Sequence, residues 1–373
     1  PWIDHYVTMG ESVDMSRMSI SRTVDSICSL LDRAIAMPDL PERNAVNEFG
    51  RVNKVALRML KARVLLWSAS PLFNPENNQS YYPSFSKQEL IKHETYDKNR
   101  WQEAADACLE AINAAHGAGY ALYTKYGDPV KDYKAAVTEF PDIDASGKAK
   151  GNPEIIWGTR PADSYASEAY QSGSRVTIWS TLKKLRGTVG TYLIPLQNMV
   201  DKYELRDGSD QPSDYWQNVS DPYYPQAFWP YMRLSDLYLM YAEALNEVDY
   251  ASNSTEILRY VNMVRDRAGQ PKLENKPGFQ ANQAYVRECI RKERIVELCY
   301  EDQIYFDYKR WKVGDKYIGG NMYGMKITGD MENPTFSKFL YETRVWSSKW
   351  YLFPLYQTDV LTTNGVLAQN PGW

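Results

Sequence analysis

The sequence predicts a mainly α-helical protein, built of helical hairpins and carrying an irregular, loop-rich part. Three observations predict it. Apolar residues recur at i, i+3, i+4 and i+7 in several separate stretches. Alanines mark the positions where such helices approach closely: Ala56, Ala62, Ala104, Ala105, Ala242 and Ala244. Between residues 119 and 229 the composition turns to Tyr, Gly, Pro, Ser and Asp, and long periodicity disappears.

The first predicted helix carries Ile20, Val24, Ile27, Cys28, Leu31 and Ile35, and Met37-Pro38 stops it. The second places Val52, Val55, Ala56, Met59, Leu60, Leu66 and Trp67 on one face and ends before Pro71. The third runs from about Asn99 to Ala115, with Trp101, Ala104, Ala105, Cys108, Leu109 and Ile112 inward. Gly117 and Gly119 are its natural stops. In the middle part, the stretch from Glu154 to Gly158 reads as a short strand, and that from Tyr192 to Leu205 as a strand or a short helix. Helices then return. One has the stripe Leu234, Leu237, Tyr238, Tyr241 and Leu245. The next is capped at Asn253, carries Ile257, Leu258, Val261, Val264 and Ala268, and ends at Gly269-Gln270-Pro271. A long helical stretch covers Asn282 to about Trp311, and the last 60 residues read as irregular and aromatic. The chain therefore divides into a first helical part (1–118), an irregular aromatic-rich part (119–229), a second helical part (230–312) and an irregular C-terminal segment packed on the scaffold (313–373). Paired helices of this length with alanine contacts are similar to tetratricopeptide-type hairpins with degenerate repeats.

Composition excludes several functions. The net charge of −4 lacks the basic footprint of a general nucleic-acid binder. No run of 18 apolar residues exists, so no membrane-spanning helix is expected, and the first residues have no signal-peptide pattern. Cys28, Cys108, Cys289 and Cys299 sit in helical patterns and read as four buried thiols. His93-Glu94 opens like a zinc-protease helix, but Asp97 stands where the second His is required. His116 reads as a helix-terminus residue. Asp142, Asp144, Ser146 and Gly147 begin like a calcium loop, yet Pro153 occupies the position of the bidentate Glu; a structural calcium ion is not supported, and no cofactor is expected. Glu293, Glu297 and Glu301 share a helix face with interleaved Arg291 and Arg294. That reads as an ion-pair ladder tying helices together, since a glycosidase needs two carboxylates opposed across a cleft. No catalytic residue is expected.

Aromatics make up 13% of the chain, with Trp 11, Tyr 29 and Phe 10. Rings on loops beside Ser, Gly, Asp and Gln suit sugar binding, because sugar C–H faces pack on rings while hydroxyls need polar edges. Tyr165, Tyr170, Trp179 and Trp216 are the candidate ligand-facing rings.

Five stretches resemble the SusD-like (RagB/SusD) family: residues 62–74 (ARVLLWSASPLFN), 200–208 (VDKYELRDG), 233–247 (RLSDLYLMYAEALNE), 291–298 (RKERIVEL) followed by Glu301, Phe306-Asp307 and Arg310-Trp311, and 350–373, which opens WYLFPLYQ and ends QNPGW. The resemblance implies a tetratricopeptide-like scaffold with a loop-rich region. It implies a non-enzymatic, cell-surface lipoprotein of the outer membrane that captures oligosaccharides and acts as a lid, delivering them to a TonB-dependent SusC-like transporter. Oligopeptides are the alternative ligand; a glycoside hydrolase or a pure protein-binding repeat scaffold are rival readings. The family's motifs are mostly structural and carry no ligand residues over to this chain. Its members also have a lipidated Cys and helices ahead of the segment that Pro1 opens. The resemblance thus implies that N-terminal helices, and part of the ligand site, are missing here. Gln211 to Ala227 is shorter than the insert the family carries there, which implies an omitted internal segment.

Overall fold

The structure is a computed structural model. It describes residues 2–3, 5–11, 13–45, 48–139, 152–158, 197–205, 207–210, 230–299, 301–329 and 334–373. Its elements are α1 (Ile20–Ile35), α2 (Lys54–Ala69), α3 (Asn99–Gly117), α4 (Pro129–Thr138), β1 (Ile155–Gly158), α5 (Gln197–Val200), β2 (Pro230–Arg233), α6 (Leu234–Arg267), α7 (Gln283–Glu297), α8 (Ile304–Arg310), α9 (Gly314–Tyr317), β3 (Gly320–Gly329), β4 (Pro334–Arg344) and α10 (Gln357–Thr362).

The predicted mainly helical scaffold is observed. Helix α1 packs on α2, α2 on α3, α3 on α6 and α6 on α7. Helices α1, α2, α4 and α7 start at a polar side chain that accepts an otherwise unpaired N–H. Asn53 caps α2 by accepting from Ala56 at 2.9 Å, and Asn282 caps α7 by accepting from Tyr285 at 2.9 Å. The alanines read as contact positions are all buried: Ala56, Ala62, Ala104, Ala105, Ala242 and Ala244 lie in one core with Met59, Leu66, Ile112, Leu237 and Val261. Gly269 ends α6 in the left-handed region at φ +72°, where a Cβ would also lie 2.6 Å from Cβ of Pro129.

Several expectations are corrected. Helix α1 is amphipathic, but of its stripe only Leu31 is fully buried. Val52 precedes the cap of α2 and is exposed. The two helices expected on either side of residue 250 run as one element, kinked at Asp249 (φ −172°, ψ 109°). Asp249, not Asn253, caps the second limb: its carboxylate accepts from the Ala251 N–H at 3.2 Å and the Ser252 hydroxyl at 2.6 Å, while Asn253 donates back to the Asp249 carbonyl. The stretch expected as one helix to Trp311 breaks into α7 and α8, with Asp302 left-handed at φ +61° between them. Of the cysteines only Cys108 is fully buried; the other three are half-buried, and none forms a disulfide. Within the C-terminal segment β3 and β4 form an antiparallel hairpin. Its alternation is hard to read because both faces are largely solvent-exposed, so neither is uniformly apolar, and a bulge after Met322 shifts the phase.

Buried guanidinium–carboxylate contacts connect these elements. Arg233, at the end of β2, donates to Glu154 (2.7 Å), Glu297 (2.8 Å) and both oxygens of Glu301 (3.0 and 2.6 Å). Arg267 reaches Glu154 at 2.9 Å and also Glu297. A second group joins Arg294 to Asp236 (2.9 Å) and Asp307 (3.0 Å), and Arg310 to Asp307 (2.7 Å) and Glu243 (2.5 and 2.7 Å). Arg265 holds Glu204 and Glu293. The ladder read on α7 is present in part: Glu293, Arg294 and Glu297 belong to it, Glu301 joins it from beyond the helix end, Arg291 pairs instead with Glu288, and the network spans β2, α6, α7 and α8. In the first group three carboxylates face two guanidiniums. Burial pushes the Glu301 carboxyl up to about 7, against the ordinary 4.5, with Arg233 opposing the shift and Glu297 adding to it.

Truncation of a fully buried core side chain, Ile112→Ala, should cost roughly 3 kcal/mol of unfolding free energy in urea titration. A carboxyl with a raised folded pKa stabilises fully below about 4.5, and the contribution is lost as pH rises through about 7. Urea titrations of wild type and Glu301→Gln between pH 5 and pH 8 should therefore show the wild type losing stability relative to the variant; parallel profiles would contradict this. Buried His93, pushed down to about 4 first by burial and then by the charge of Arg100, titrates in both proteins and cancels.

Candidate ligand-binding surface

The ribbon of β1 and β2 is where the aromatic-rich segments join the scaffold. Residues 159–196 leave from Gly158, residues 211–229 re-enter at Pro230, and these two residues are partners in the ribbon. Tyr165, Tyr170, Trp179 and Trp216 lie outside the described residues, as do the calcium-like turn at 142–147 and the shortened stretch at 211–227.

A row of half-exposed rings begins on this ribbon. Trp157 and Tyr231 face each other with centroids 5.0 Å apart, and the Trp157 indole N–H donates to the Gly50 carbonyl at 2.9 Å. The Tyr231 carbonyl accepts from Arg63 Nη2 and from Gln303 Nε2, both at 3.2 Å. Arg63 is anchored in turn by Asp236 Oδ2 at 2.7 Å. One turn along α2, Trp67 stacks on Phe306 of α8 at 5.7 Å. Phe306 touches Tyr305 and Phe353, with centroids at 5.6 and 6.1 Å. Tyr231, Tyr305 and Phe353 are 41%, 41% and 52% exposed. The row is thus Trp157, Tyr231, Trp67, Phe306, Tyr305 and Phe353, edged by Arg63, Gln303 and Lys309.

Phe353 is held there by the C-terminal motif. The Gln369 amide exchanges two hydrogen bonds with the Leu355 backbone (2.8 and 2.9 Å), Asn370 donates to the Phe353 carbonyl at 2.7 Å, and the Trp373 indole donates to the Leu352 carbonyl at 3.2 Å. Gly372 sits at φ +87°, where a Cβ would lie 2.7 Å from Cβ of Lys349. The motif is therefore a fastening for residues 349–355, as the structural reading of the family motifs implies.

The rings of the row are half-exposed among the described residues. The cleft beside it, lined by Arg43, Asn53, Tyr120, Ile155 and Ile156, has a volume of about 30 Å³, room for water but not for a sugar ring. The remaining sequence candidates are structural. His93 is buried between the hydroxyls of Ser21 (2.8 Å) and Ser68 (2.7 Å), and His116, in the last turn of α3, bonds Tyr238 at 2.6 Å. Among the described residues no group of three His, Cys, Asp or Glu side chains is placed to hold a metal. Sequence reasoning missed the row because Tyr231, Tyr305 and Phe353 come from distant segments, and Trp67 and Phe306 fit an ordinary helical stripe.

Fold and surface together define a helical-scaffold protein with an exposed aromatic face. Residues 213–373 match the SusD family. SusD-like protein P2 of Formosa agariphila is 29% identical over 147 residues, 38% of this chain and 25% of that protein, so the match spans a quarter of the curated relative. A SusD-like protein from Bacteroides fragilis has the same fold with a TM-score of 0.71 at 21% identity, covering 100% of this chain and 75% of its own. A SusD-like carbohydrate binding protein, also from Bacteroides fragilis, matches with a TM-score of 0.58 at 17% identity, covering 87% and 64%. Residues 213–373 thus carry the SusD family match, and the chain has the fold of SusD-like proteins.

Gly372→Ala should cost about 1 kcal/mol or more, because alanine is strained at this φ. Hydrogen exchange should then show faster exchange at the Leu355 amide; an unchanged rate would remove the motif from the positioning of Phe353.

Proposed function

We propose that the chain binds oligosaccharides at the cell surface and hands them, uncleaved, to a SusC-like TonB-dependent transporter of the outer membrane. The observation that carries this reading is the row of half-exposed rings edged by N–H donors. Sugar C–H faces pack on such rings, and the guanidinium, amide and ammonium groups beside them receive hydroxyl oxygens. A row of half-exposed rings suits a chain of sugars, since each unit contributes modestly and several rings act together. The name of the carbohydrate-binding relative is consistent with a glycan ligand. Binding without turnover agrees with the state of the carboxylates on α7 and just beyond its end. Glu293, Glu297 and Glu301 are all engaged by guanidiniums and do not face one another across a cleft, as glycoside hydrolysis requires. Tyr165, Tyr170, Trp179 and Trp216 are proposed to extend the same face, since their segments join the scaffold at Gly158 and Pro230 beside Tyr231. In this reading the protein as a whole acts as the lid on the transporter, and ligand binding shifts lid closure.

Calorimetry with neutral oligosaccharides is the test. Tyr231→Ala and Phe353→Ala should each weaken binding about tenfold with an unchanged circular dichroism spectrum, the loss expected for one ring contact. Affinities equal to wild type in both variants would remove the row from the ligand site.

A further inference from the structure

At the Phe353 end of the row stand two lysines whose environment the scaffold does not explain. The Lys309 ammonium lies over Phe353 at 3.5 Å and Tyr305 at 5.1 Å, in a residue only 4% exposed. The Lys312 ammonium lies over the rings of Tyr81 and Tyr351, the latter at 4.3 Å. Neither ammonium has a hydrogen-bond acceptor among the described residues. The contrast with the other buried cations is sharp: Arg233, Arg265, Arg267, Arg294 and Arg310 all end on carboxylates, and Lys92 donates to the His93 carbonyl. Ring faces return up to about 2 kcal/mol to a desolvated cation. Burying an ammonium costs several, and six N–H donors remain unused. Lys312 is also held at φ +62°, a conformation in which any residue with a Cβ is strained.

Three of the four covering rings lie at the surface: Tyr81, Tyr305 and Phe353 are 43%, 41% and 52% exposed, while Tyr351 is buried. Residues 351–353 run past both lysines, so Lys309 and Lys312 form one cationic end to the aromatic row. We propose that this end receives an anionic substituent of the bound oligosaccharide, a carboxylate or a sulfate ester, whose oxygens accept from the Lys309 and Lys312 ammoniums. The proposal rests on the reading of the row as a glycan surface and names the class of glycan it takes. Rings and ammoniums divide the ligand between them: C–H faces lie on the outer faces of Tyr305 and Phe353, and the charged group takes a place at the nitrogen that a ring face now covers.

The two lysines differ in a way that gives the proposal its own signature. Burial lowers Lys309 to about 8, so it stays largely charged at pH 7. Burial lowers Lys312 to about 6, with Asp315 opposing the shift, so it is mostly neutral there. An anion arriving beside Lys312 favours its charged form. Binding at pH 7 then takes up a proton.

The test is calorimetry on the full chain at physiological ionic strength, in two buffers of different ionisation enthalpy. The probes are a cello-oligosaccharide, an oligogalacturonate and a sulfated oligosaccharide of equal length. At least one acidic probe should bind about tenfold tighter than the neutral one, with proton uptake; which of the two does so identifies the anion. Lys309→Met should bring the ratio of acidic to neutral affinity to about one, and Lys312→Met should abolish the proton uptake. Both variants remove an unpaired buried cation, so their melting temperatures should hold or rise. Equal affinity for all three probes, without proton uptake, overturns this inference and leaves the glycan reading standing. An acidic preference that survives both variants overturns the assignment to these lysines. Failure of every probe to bind overturns both readings.

Discussion

Buried guanidinium groups in the angle between α6, α7 and α8 are the constraint on which the rest of this structure depends. Arg233, Arg267, Arg294 and Arg310 are each 4% exposed or less, and each holds carboxylates from at least one other element. A buried ion pair returns little net stability, because desolvation offsets most of the attraction, whereas removing one partner is costly. Such contacts therefore act mainly on geometry. A fork of five N–H donors accepts few arrangements of carboxylates. Here those carboxylates lie just before β1 (Glu154), on α6 (Asp236, Glu243), at and beyond the end of α7 (Glu297, Glu301) and on α8 (Asp307).

The geometry so imposed places the aromatic row. Arg233 and Glu154 fix the ribbon, and with it Trp157 and Tyr231. Asp236 anchors Arg63, which holds the Tyr231 carbonyl. Asp307 and Arg310 lock α8, and with it Tyr305 and Phe306; the Arg310 carbonyl also accepts the Leu72 N–H, tying α8 to the end of α2 beyond Trp67. The C-terminal motif adds Phe353. A ligand meeting rings held in this way loses little on their ordering, so a face of half-exposed rings can bind selectively. The hairpin of β3 and β4, which exposes Phe339, Leu340 and Tyr341, stands outside the ionic frame.

Much of the scaffold was legible in the sequence. Alanine spacing and the 3.6 period identify α2, α3, α6 and α7, because their buried faces are long and continuous. The motif residues Arg233, Asp236, Glu243, Arg294, Glu297, Glu301, Asp307 and Arg310 are members of the ionic frame, which Glu154 and Arg267 complete, so the resemblance rested largely on residues that hold the fold together. What escaped was set by tertiary context. The break at Asp302 follows from the demand that Glu301 and Asp307 reach different arginines, which local propensity does not express. The cap at Asp249 is a side chain closing on its own neighbours across a kink inside a periodic stretch. The row of rings is assembled from five distant segments, and none of its members is distinguishable in sequence from a core aromatic. Lys309 and Lys312 look in sequence like ordinary solvated charges of a helix end.

The central claim is that the ionic frame makes the ribbon and α8 as rigid as the core, so that the aromatic row is preformed. Native-state hydrogen exchange tests it most directly. The account predicts that the amides of Trp157 and Met232 in the ribbon, and of Asp307 and Arg310 in α8, exchange only through global unfolding, at the rate of the buried α6 core. Exchange of these amides by local opening, as fast as in the exposed hairpin of β3 and β4, would contradict it.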